Sequence, residues 1–329
     1  MSMFARRSFL IGAALAPLAP APAHAQASST QVWPARPVML IIPFPAGGAM
    51  DLLGRGVAQD LADKLGQQFV VDNRAGAAGN IGAMAAAKAS PDGYTILMAG
   101  AASLALNKFM FSNMPYDPET ELTPIVILSR LPHIFVVNAK VEATTLKELV
   151  DYAKSNPGKL SAGVPGVGTT AHITLEAFMA ETGAKMTVVP YRSEPQMLTD
   201  LVGGQLDVAC TLATSPGPHV QAGRLRALAV TSATRTRQLP DVPTVEQAGF
   251  PGFEATAWFA LAVPTGTPAD IIAKINAAAN AFILSAKGKE ELNKLDSLPA
   301  GGTPEETKAF IAAEVRKWAP IIKAAKIQM

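Results

Sequence analysis

The chain has 329 residues, of which 49% are hydrophobic and 16% charged, and its formal net charge at pH 7 is +2. This weak positive balance argues against a nucleic-acid partner, because nucleic-acid-binding surfaces need clustered basic side chains. Cys210 is the single cysteine, so the chain has no internal disulfide and no metal cluster built from cysteines. The composition is that of a globular protein stabilised by its hydrophobic core.

The first 25 residues have the layout of a cleavable export signal. Arg6 and Arg7 form a basic start, residues 9–18 are apolar, and small residues end the stretch at Ala25. The apolar run is too short to span a bilayer and is followed by prolines, which argues against a membrane anchor. The adjacent arginines favour the twin-arginine route over the general secretory route. We therefore predict a periplasmic protein that is cleaved after Ala25.

The rest of the chain alternates apolar strands with helices, a pattern typical of a mainly parallel sheet covered by helices. Strands are predicted at 38–42, 69–71, 94–98, 125–128, 134–137, 160–164, 186–189, 206–210, 226–231 and 258–264. A helix is predicted at 53–65, because Leu53, Val57, Leu61 and Leu65 recur every four residues and Gly66 follows as a stop. Further helices are predicted from the capping box TLKE at 145–148, and at 170–181, 269–284 and 305–323. This part still exceeds the about 250–300 residues at which a single core stops growing, so we expect two lobes. Since no flexible linker separates them, the chain is expected to cross between the lobes on strands.

Three places share one design, in which a strand passes through small residues directly into the start of a helix. They read PFPAGGAMD (43–51), MAGAAS (98–103) and GVPGVGTTAH (163–172). A helix start leaves backbone N–H groups unpaired at the positive end of the helix dipole, which suits a carboxylate or phosphate. One such junction is often a plain turn, but three of them favour a small-anion site, because ligands of α/β sheets bind at the strand ends.

The remaining motifs indicate neither a cofactor nor a catalytic site. GAAGNIG (76–82) lacks the G-x-G-x-x-G spacing of a dinucleotide site and is better explained by tight helix packing. His172 and Glu176 lie one helical turn apart, but no second histidine is spaced to complete a metal site. A surface or capping role is therefore favoured for this pair. The sequence contains no G-x-S-x-G, H-E-x-x-H or P-loop pattern, so we predict no catalytic residues, no metal and no cofactor.

Together these segments resemble the substrate-binding proteins of tripartite tricarboxylate transporters, the TctC-like Bug family of extracytoplasmic receptors. The resemblance runs in the expected order over essentially the whole predicted mature chain. Its segments are PFPAGGAMD (43–51), NRAGAAGNIGA (73–83), ASPDGYTILM (89–98), MPYDPETELTPI (114–125), GVPGVGTTAHI (163–173), TDLVGGQLDV (199–208), GRLRALAVTS (223–232), LPDVPTVEQAGFPGFE (239–254) and TGTP (265–268).

The resemblance implies an α/β, two-lobed periplasmic-binding-protein type II fold, with the ligand cleft between lobes joined by two crossing strands. The crossings would fall near 125–128 and 255–260. Lobe 1 would comprise residues 26–127 plus 255–329, and lobe 2 residues 128–254.

The resemblance also implies a function that is not enzymatic. Such a receptor captures a small carboxylate or a related aromatic acid or amide and delivers it to membrane permease subunits, and we expect it to act as a monomer. An exported α/β enzyme and the ligand-binding partner of a sensor kinase remain as alternatives. The missing cofactor motif counts against the enzyme, whereas the sequence does not separate transport from sensing.

Carried over position by position, the resemblance implies ligand-binding residues at the three junctions and near the mouth of the cleft. They are Phe44, Ala46, Gly47, Gly48, Met50 and Asp51 in the first junction, Ser103 in the second, Val164, Gly166, Gly168, Thr169 and Thr170 in the third, and Glu194 and Asp200 beyond it. The backbone N–H groups of the first loop would hold one end of the ligand. Asp200 would orient a loop, accept from an ordered water, or serve as a capping or surface carboxylate.

The chain departs from the family's usual pattern at several positions. Met50 stands where a hydroxyl-bearing residue is common, Val164 where a serine is frequent, and Thr211 where an acidic residue is frequent. Met197 adds bulk where the family has small residues. We predict that Met50, Val164 and Met197 make the pocket more apolar than is usual for a dicarboxylate, which would favour an aromatic acid, an amide or another monocarboxylate.

Glu194, within YRSEPQM (191–197), replaces a small residue and has two interpretations. If its side chain points inward, it favours a ligand with a hydrogen-bond donor or a positive group, because an unpaired buried carboxylate is costly. Alternatively, it lies on the solvated surface of a loop.

Overall fold

A mixed sheet organises residues 33–329, the part of the chain that the computed structural model describes. The export signal predicted over residues 1–25, with its cleavage site, lies outside the described residues. The strands are β1 (Val38–Ile42), β2 (Phe69–Asn73), β3 (Thr95–Gly100), β4 (Leu122–Asn138), β5 (Ser161–Val164), β6 (Thr187–Pro190), β7 (Val208–Leu212), β8 (Leu225–Val230), β9 (Thr256–Pro264) and β10 (Leu298–Gly301).

One long strand, β4, joins two halves of this sheet. Its residues 122–132 pair with β9, and its residues 133–137 pair with β7, while β8 pairs with β4 over 134–138. In the first half β1 lies between β2 and β3 in parallel, and in the second half β5 lies between β6 and β7 in parallel. This arrangement confirms the predicted α/β, two-lobed periplasmic-binding-protein type II fold.

The carboxyl ends of the parallel strands in the two halves point toward each other. Because β3 is antiparallel to β9 and β9 is antiparallel to β4, β3 runs in the same direction as β4, whereas β7 runs against it. Gly100, the last residue of β3, and Ser129 on β4 both pair with Phe259 of β9, so they lie at the same level of the sheet. Leu212, the last residue of β7, pairs with His133 on β4. Four residues of β4, about 13 Å of strand, therefore separate the two sets of strand ends.

Helices cover both faces of the sheet. They are α1 (Ala49–Leu65), α2 (Asn80–Ala87), α3 (Leu146–Ser155), α4 (Thr170–Thr182), α5 (Glu194–Gly203), α6 (Gly217–Gln221), α7 (Ala269–Leu284), α8 (Ala286–Lys294) and α9 (Pro304–Ala324). The four-residue period of α1 buries Leu53, Val57 and Leu61 in a core that α7 shares. Among the described helices none is by itself long and apolar enough to cross a membrane; α7 and α8 meet that criterion only together, with a bend of 72° between them.

Several predicted element boundaries are wrong. The strands expected at 125–128 and 134–137 are parts of one strand, β4. Its prolines do not interrupt it, because Pro124 lies beside a register shift and Pro132 lies where the partner changes from β9 to β7. At such positions the missing N–H of proline costs little. The partner change at 132–133 lies a few residues beyond the crossing expected near 125–128.

Helix α5 is not among the helices predicted from periodicity. Pro195 is in fact the second residue of α5, where the first N–H groups have no partner in the helix and a proline is tolerated.

Two local predictions are confirmed: Thr145 caps α3 in a capping box, and Gly66 ends α1 in the left-handed conformation, with φ 75°.

Candidate functional site

The first junction leads into a helix whose N-terminus has no side-chain cap. Gly48 is the N-cap of α1, with φ −78° and ψ 168°, and no side chain in the described part of the chain accepts from the first-turn amides. Within residues 33–329 the N–H groups of Gly48, Ala49 and Met50 have no backbone acceptor either. In contrast, α4 is capped by Thr169, and α3 and α9 have capping boxes. The exposed loop 45–48 therefore presents free donors at the positive end of a helix dipole.

Asp51 holds this loop from behind. Its side chain is 3% exposed, and Oδ2 accepts from the N–H of Gly47 at 2.9 Å and from Nε of Arg55 at 3.0 Å. Oδ1 accepts from Nδ2 of Asn73 at 3.0 Å, and the same Nδ2 donates to the carbonyl oxygen of Phe44 at 3.1 Å. Burial opposes ionisation of Asp51, but the hydrogen bonds from Arg55, Gly47 and Asn73 hold its pKa below the usual value. Asp51 is thus a positioning residue for the backbone donors.

The first and second junctions contact each other. A Cβ on Gly100 would lie only 3.1 Å from Cε of Met50, so glycine at the end of β3 permits this approach. Ser103 is buried in the second junction, and its Oγ lies 3.3 Å from both the nitrogen and the oxygen of Gly100. Its carbonyl accepts from the hydroxyl of Tyr116 at 2.7 Å. The Ser103 hydroxyl is therefore turned back toward the strand end.

Hydrogen bonds within the third junction fix its shape. Oγ1 of Thr169 accepts from the N–H of His172 at 3.2 Å and donates to the carbonyl of Gly166 at 2.9 Å. Nδ1 of His172 accepts from the N–H of Gly168 at 3.1 Å, which places the proton of the neutral ring on Nε2, 3.6 Å from Oε1 of Glu176. His172 therefore positions the loop. In the part of the chain that the structure describes, no three His, Cys, Asp or Glu side chains are grouped to hold a metal ion.

Thr170 connects the third junction to the point where the chain crosses between the sheet halves. Its Oγ1 lies 3.0 Å from Nε2 of His133, and Oγ1 of Thr174 lies 3.3 Å from Nδ1 of the same ring. His133 is fully buried, and this burial lowers its pKa to about 4. The hydroxyl of Thr231 accepts from the N–H of His133 and donates to the carbonyl of Ala255, just before β9. One network thus joins the third junction to β4 at His133 and to the start of β9.

Two side chains predicted to make the pocket apolar are buried in the hydrophobic core. Val164 is 0% exposed and belongs to the cluster around Phe135, whereas Met197 is 0% exposed and packs with Leu201. Their placement therefore gives no support to the prediction that Val164 and Met197 line an apolar pocket. The helical period of α5 turns Met197 toward the sheet. Met50 is also buried, at 6% exposure.

Glu194 is half-buried, and its side chain contacts the neighbouring strand β7. It is the first residue of α5, and its Oε1 accepts from the hydroxyl of Thr211, which is 0% exposed on β7. Oδ2 of Asp200 accepts from the hydroxyl of Tyr191 at 3.0 Å, just before α5. Burial and the neighbouring Asp200 raise the pKa of Tyr191. Asp200 thus holds the segment that leads to Glu194.

The second and third junctions also share a small cavity. It has a volume of about 10 Å³ and is lined by residues that include Ala101, Leu106, Thr170, Thr174 and Thr256. A cavity of this size holds about one water molecule. The three junctions, which the sequence predicted separately, therefore form one continuous region at the facing strand ends.

Several residues that organise this region were missed from the sequence. Arg55 could have been found, because it lies four residues after Asp51 on the same helix, the spacing of a helical ion pair. Asn73 and Tyr116 gave no such signal, because their partners are 22 and 13 residues away in sequence. The structure alone assigns these two side chains to the loops they hold.

Comparisons with known proteins agree with this geometry. The sequence model of the family described as "Tripartite tricarboxylate transporter family receptor" matches residues 53–327. BugT of Bordetella pertussis is 37% identical over 298 residues, which cover 90% of this chain and 91% of BugT. A solved structure described as R. palustris Rpa4515 with adipate has a TM-score of 0.79 at 37% identity and covers 90% of this chain and 99% of that one. MatC (Rpa3494) from Rhodopseudomonas palustris with bound malate has a TM-score of 0.75 at 28% identity, covering 88% and 100%.

Proposed function

The chain belongs to the tripartite tricarboxylate transporter family receptors, and on this premise we propose that it captures a small carboxylate in the periplasm and delivers it to membrane permease subunits. The observation that carries the proposal is the uncapped N-terminus of α1, where the N–H groups of Gly48, Ala49 and Met50 have no acceptor among residues 33–329. A carboxylate is the ligand that matches such a row of donors at a helix start. The relatives with bound adipate and malate support this choice of ligand.

The third junction supplies the opposite side of the proposed site. The loop from Gly166 to Thr170 comes from the second half of the sheet, and its helix α4 begins at the facing strand ends. Lobes of residues 26–127 with 255–329 and residues 128–254 would close on the ligand, with the network of His133 and Thr231 at the crossings as the hinge. The receptor would work as a monomer, because one chain carries both sides of the site.

Ligand capture can serve either transport or sensing, and the family supports transport. Signal peptide cleavage after Ala25 and export by the twin-arginine route form part of the proposal. An exported enzyme is the weaker alternative, because the site geometry consists of backbone donors and positioning side chains rather than a nucleophile with its base.

The proposal is tested by calorimetric titration of the purified protein with adipate and with malate, and by native mass spectrometry of the ligand that it retains. We expect a bound organic acid in the spectrum, and compaction in small-angle scattering when that acid is present at saturation. Purified protein that retains no carboxylate and binds none from a broad panel would contradict the proposal.

A further inference from the structure

We propose that Glu194 makes this receptor selective for carboxylates whose other end carries a hydrogen-bond donor, such as an ammonium, amide or hydroxyl group, against dicarboxylates. The inference rests on the proposed function, because it assigns the second end of the same ligand. Glu194 is not part of the first junction, whose backbone donors are proposed to bind the carboxylate of the ligand.

The position of Glu194 places its carboxylate at the facing strand ends. Its partner Thr211 pairs with Ile134 on β4, next to the partner change at 132–133. The next residue, Leu212, packs against the core cluster of the first half that contains Met50. The carboxylate therefore lies on the second half of the sheet, at the edge that faces the N-terminus of α1.

Among the described residues, no basic side chain lies within ion-pair distance of the Glu194 carboxylate. Across residues 33–329, none of the salt bridges between side chains includes Glu194. Thr211 supplies one donor, whereas a carboxylate has about four acceptor positions. The α5 dipole explains why a negative charge is tolerated at the first helical position, but it does not explain why the side chain turns onto a fully buried hydroxyl instead of toward solvent. An acceptor thus remains available to a ligand.

The two sides of the site therefore have opposite preferences. On the first side the charge of Asp51 is balanced by Arg55, which leaves backbone donors for an anion. On the second side Glu194 offers acceptors beyond the one that Thr211 uses. A dicarboxylate would bring like charges together at this end, whereas a terminal donor would satisfy the free acceptor.

The test compares ligands that differ only at one end: adipate with 6-aminohexanoate, and succinate with 4-aminobutanoate, by calorimetric titration. For the wild-type protein we expect the amino acid of at least one pair to bind ten times or more tightly than its dicarboxylate. In Glu194→Gln, which keeps the size of the side chain, this preference should fall by tenfold or more. Glu246→Gln, at an exposed carboxylate, should keep the wild-type preference.

The outcomes separate this inference from the proposed function. Tighter binding of the dicarboxylates, or a preference that is the same in Glu194→Gln, would overturn the role of Glu194 while leaving carboxylate capture intact. If the protein binds none of the four compounds and nothing from a broad carboxylate panel, both the role of Glu194 and the proposed function are overturned. Equal unfolding temperatures of wild type and Glu194→Gln show that a lost preference is not a folding defect. Thr211→Val removes the hydroxyl that positions Glu194, and it should weaken the same preference.

Discussion

The N–H of Gly47 donates to Oδ2 of Asp51, four residues later, at 2.9 Å. This hydrogen bond lets a carboxylate occupy the first turn of α1 without using the free N–H groups of Gly48, Ala49 and Met50. The acid at the helix start therefore shapes the loop and does not block it. Arg55 balances the charge of Asp51, so that the field at the loop stays favourable for an anion.

Asp51→Asn should weaken ligand binding by about 10- to 100-fold, since charge-assisted hydrogen bonds to Gly47 and Arg55, each worth about 1.5–3 kcal/mol, lose their anionic partner. The affinity is measured by calorimetric titration with the acid that the native protein retains. Asp63→Asn is the matched control on the same helix, because the Asp63 side chain is 62% exposed. Unchanged affinity in Asp51→Asn would show that the loop keeps its shape without this carboxylate.

Gly48→Ser should stabilise the protein slightly and weaken ligand binding about tenfold. A serine at the N-cap accepts from the first-turn amides, which adds a few tenths of a kcal/mol to the stability of the helix but removes a donor from the ligand. Gly48→Ala is the control: its Cβ would come no closer than 3.8 Å to the carbonyl of Pro45 and brings no acceptor. Similar affinities of the serine and alanine variants would contradict the role of the free amides.

The free energy of unfolding should fall as the pH is lowered from about 6.5 to 4 because of His133. Burial lowers the pKa of His133 to about 4 in the folded protein, whereas an unfolded histidine has a pKa of about 6.5. In this window the unfolded chain binds a proton that the folded chain excludes, so stability on the order of 3 kcal/mol is present above pH 6.5 and lost toward pH 4. Urea unfolding at several pH values gives the slope of the unfolding free energy against pH for wild type and for His133→Asn. The difference between the two slopes measures the contribution of His133. Parallel slopes would show that His133 is not its source.

Tyr116→Phe should lower the free energy of unfolding by about 1–3 kcal/mol, because the buried carbonyl of Ser103 loses its donor. The loss should be measured by urea unfolding. Tyr152→Phe, at a side chain that is 43% exposed, should change stability by less than about 0.5 kcal/mol. If both variants lose the same stability, the hydrogen bond to Ser103 contributes nothing specific.

Local sequence patterns account for much of the fold. The four-residue period of Leu53, Val57 and Leu61 predicted α1, Gly66 predicted its end, and Thr145 predicted the capping box of α3. These features depend on residues within one or two turns of each other, so a single sequence contains the information. The strands predicted at 125–128 and 134–137 are one strand that runs through Pro132, because the effect of this proline depends on the partner strand, which the local pattern does not specify.

The sequence by itself determined the three junctions of strand, small residues and helix start, together with the family to which they belong. Only the tertiary structure decided that Asp51 supports the first loop through Asn73, that Met197 is buried, and that Glu194 reaches Thr211. The physical reason is that each of these depends on which strands and helices become neighbours. Glu194 and Thr211 are 17 residues apart in sequence, and their contact exists only because α5 packs against β7.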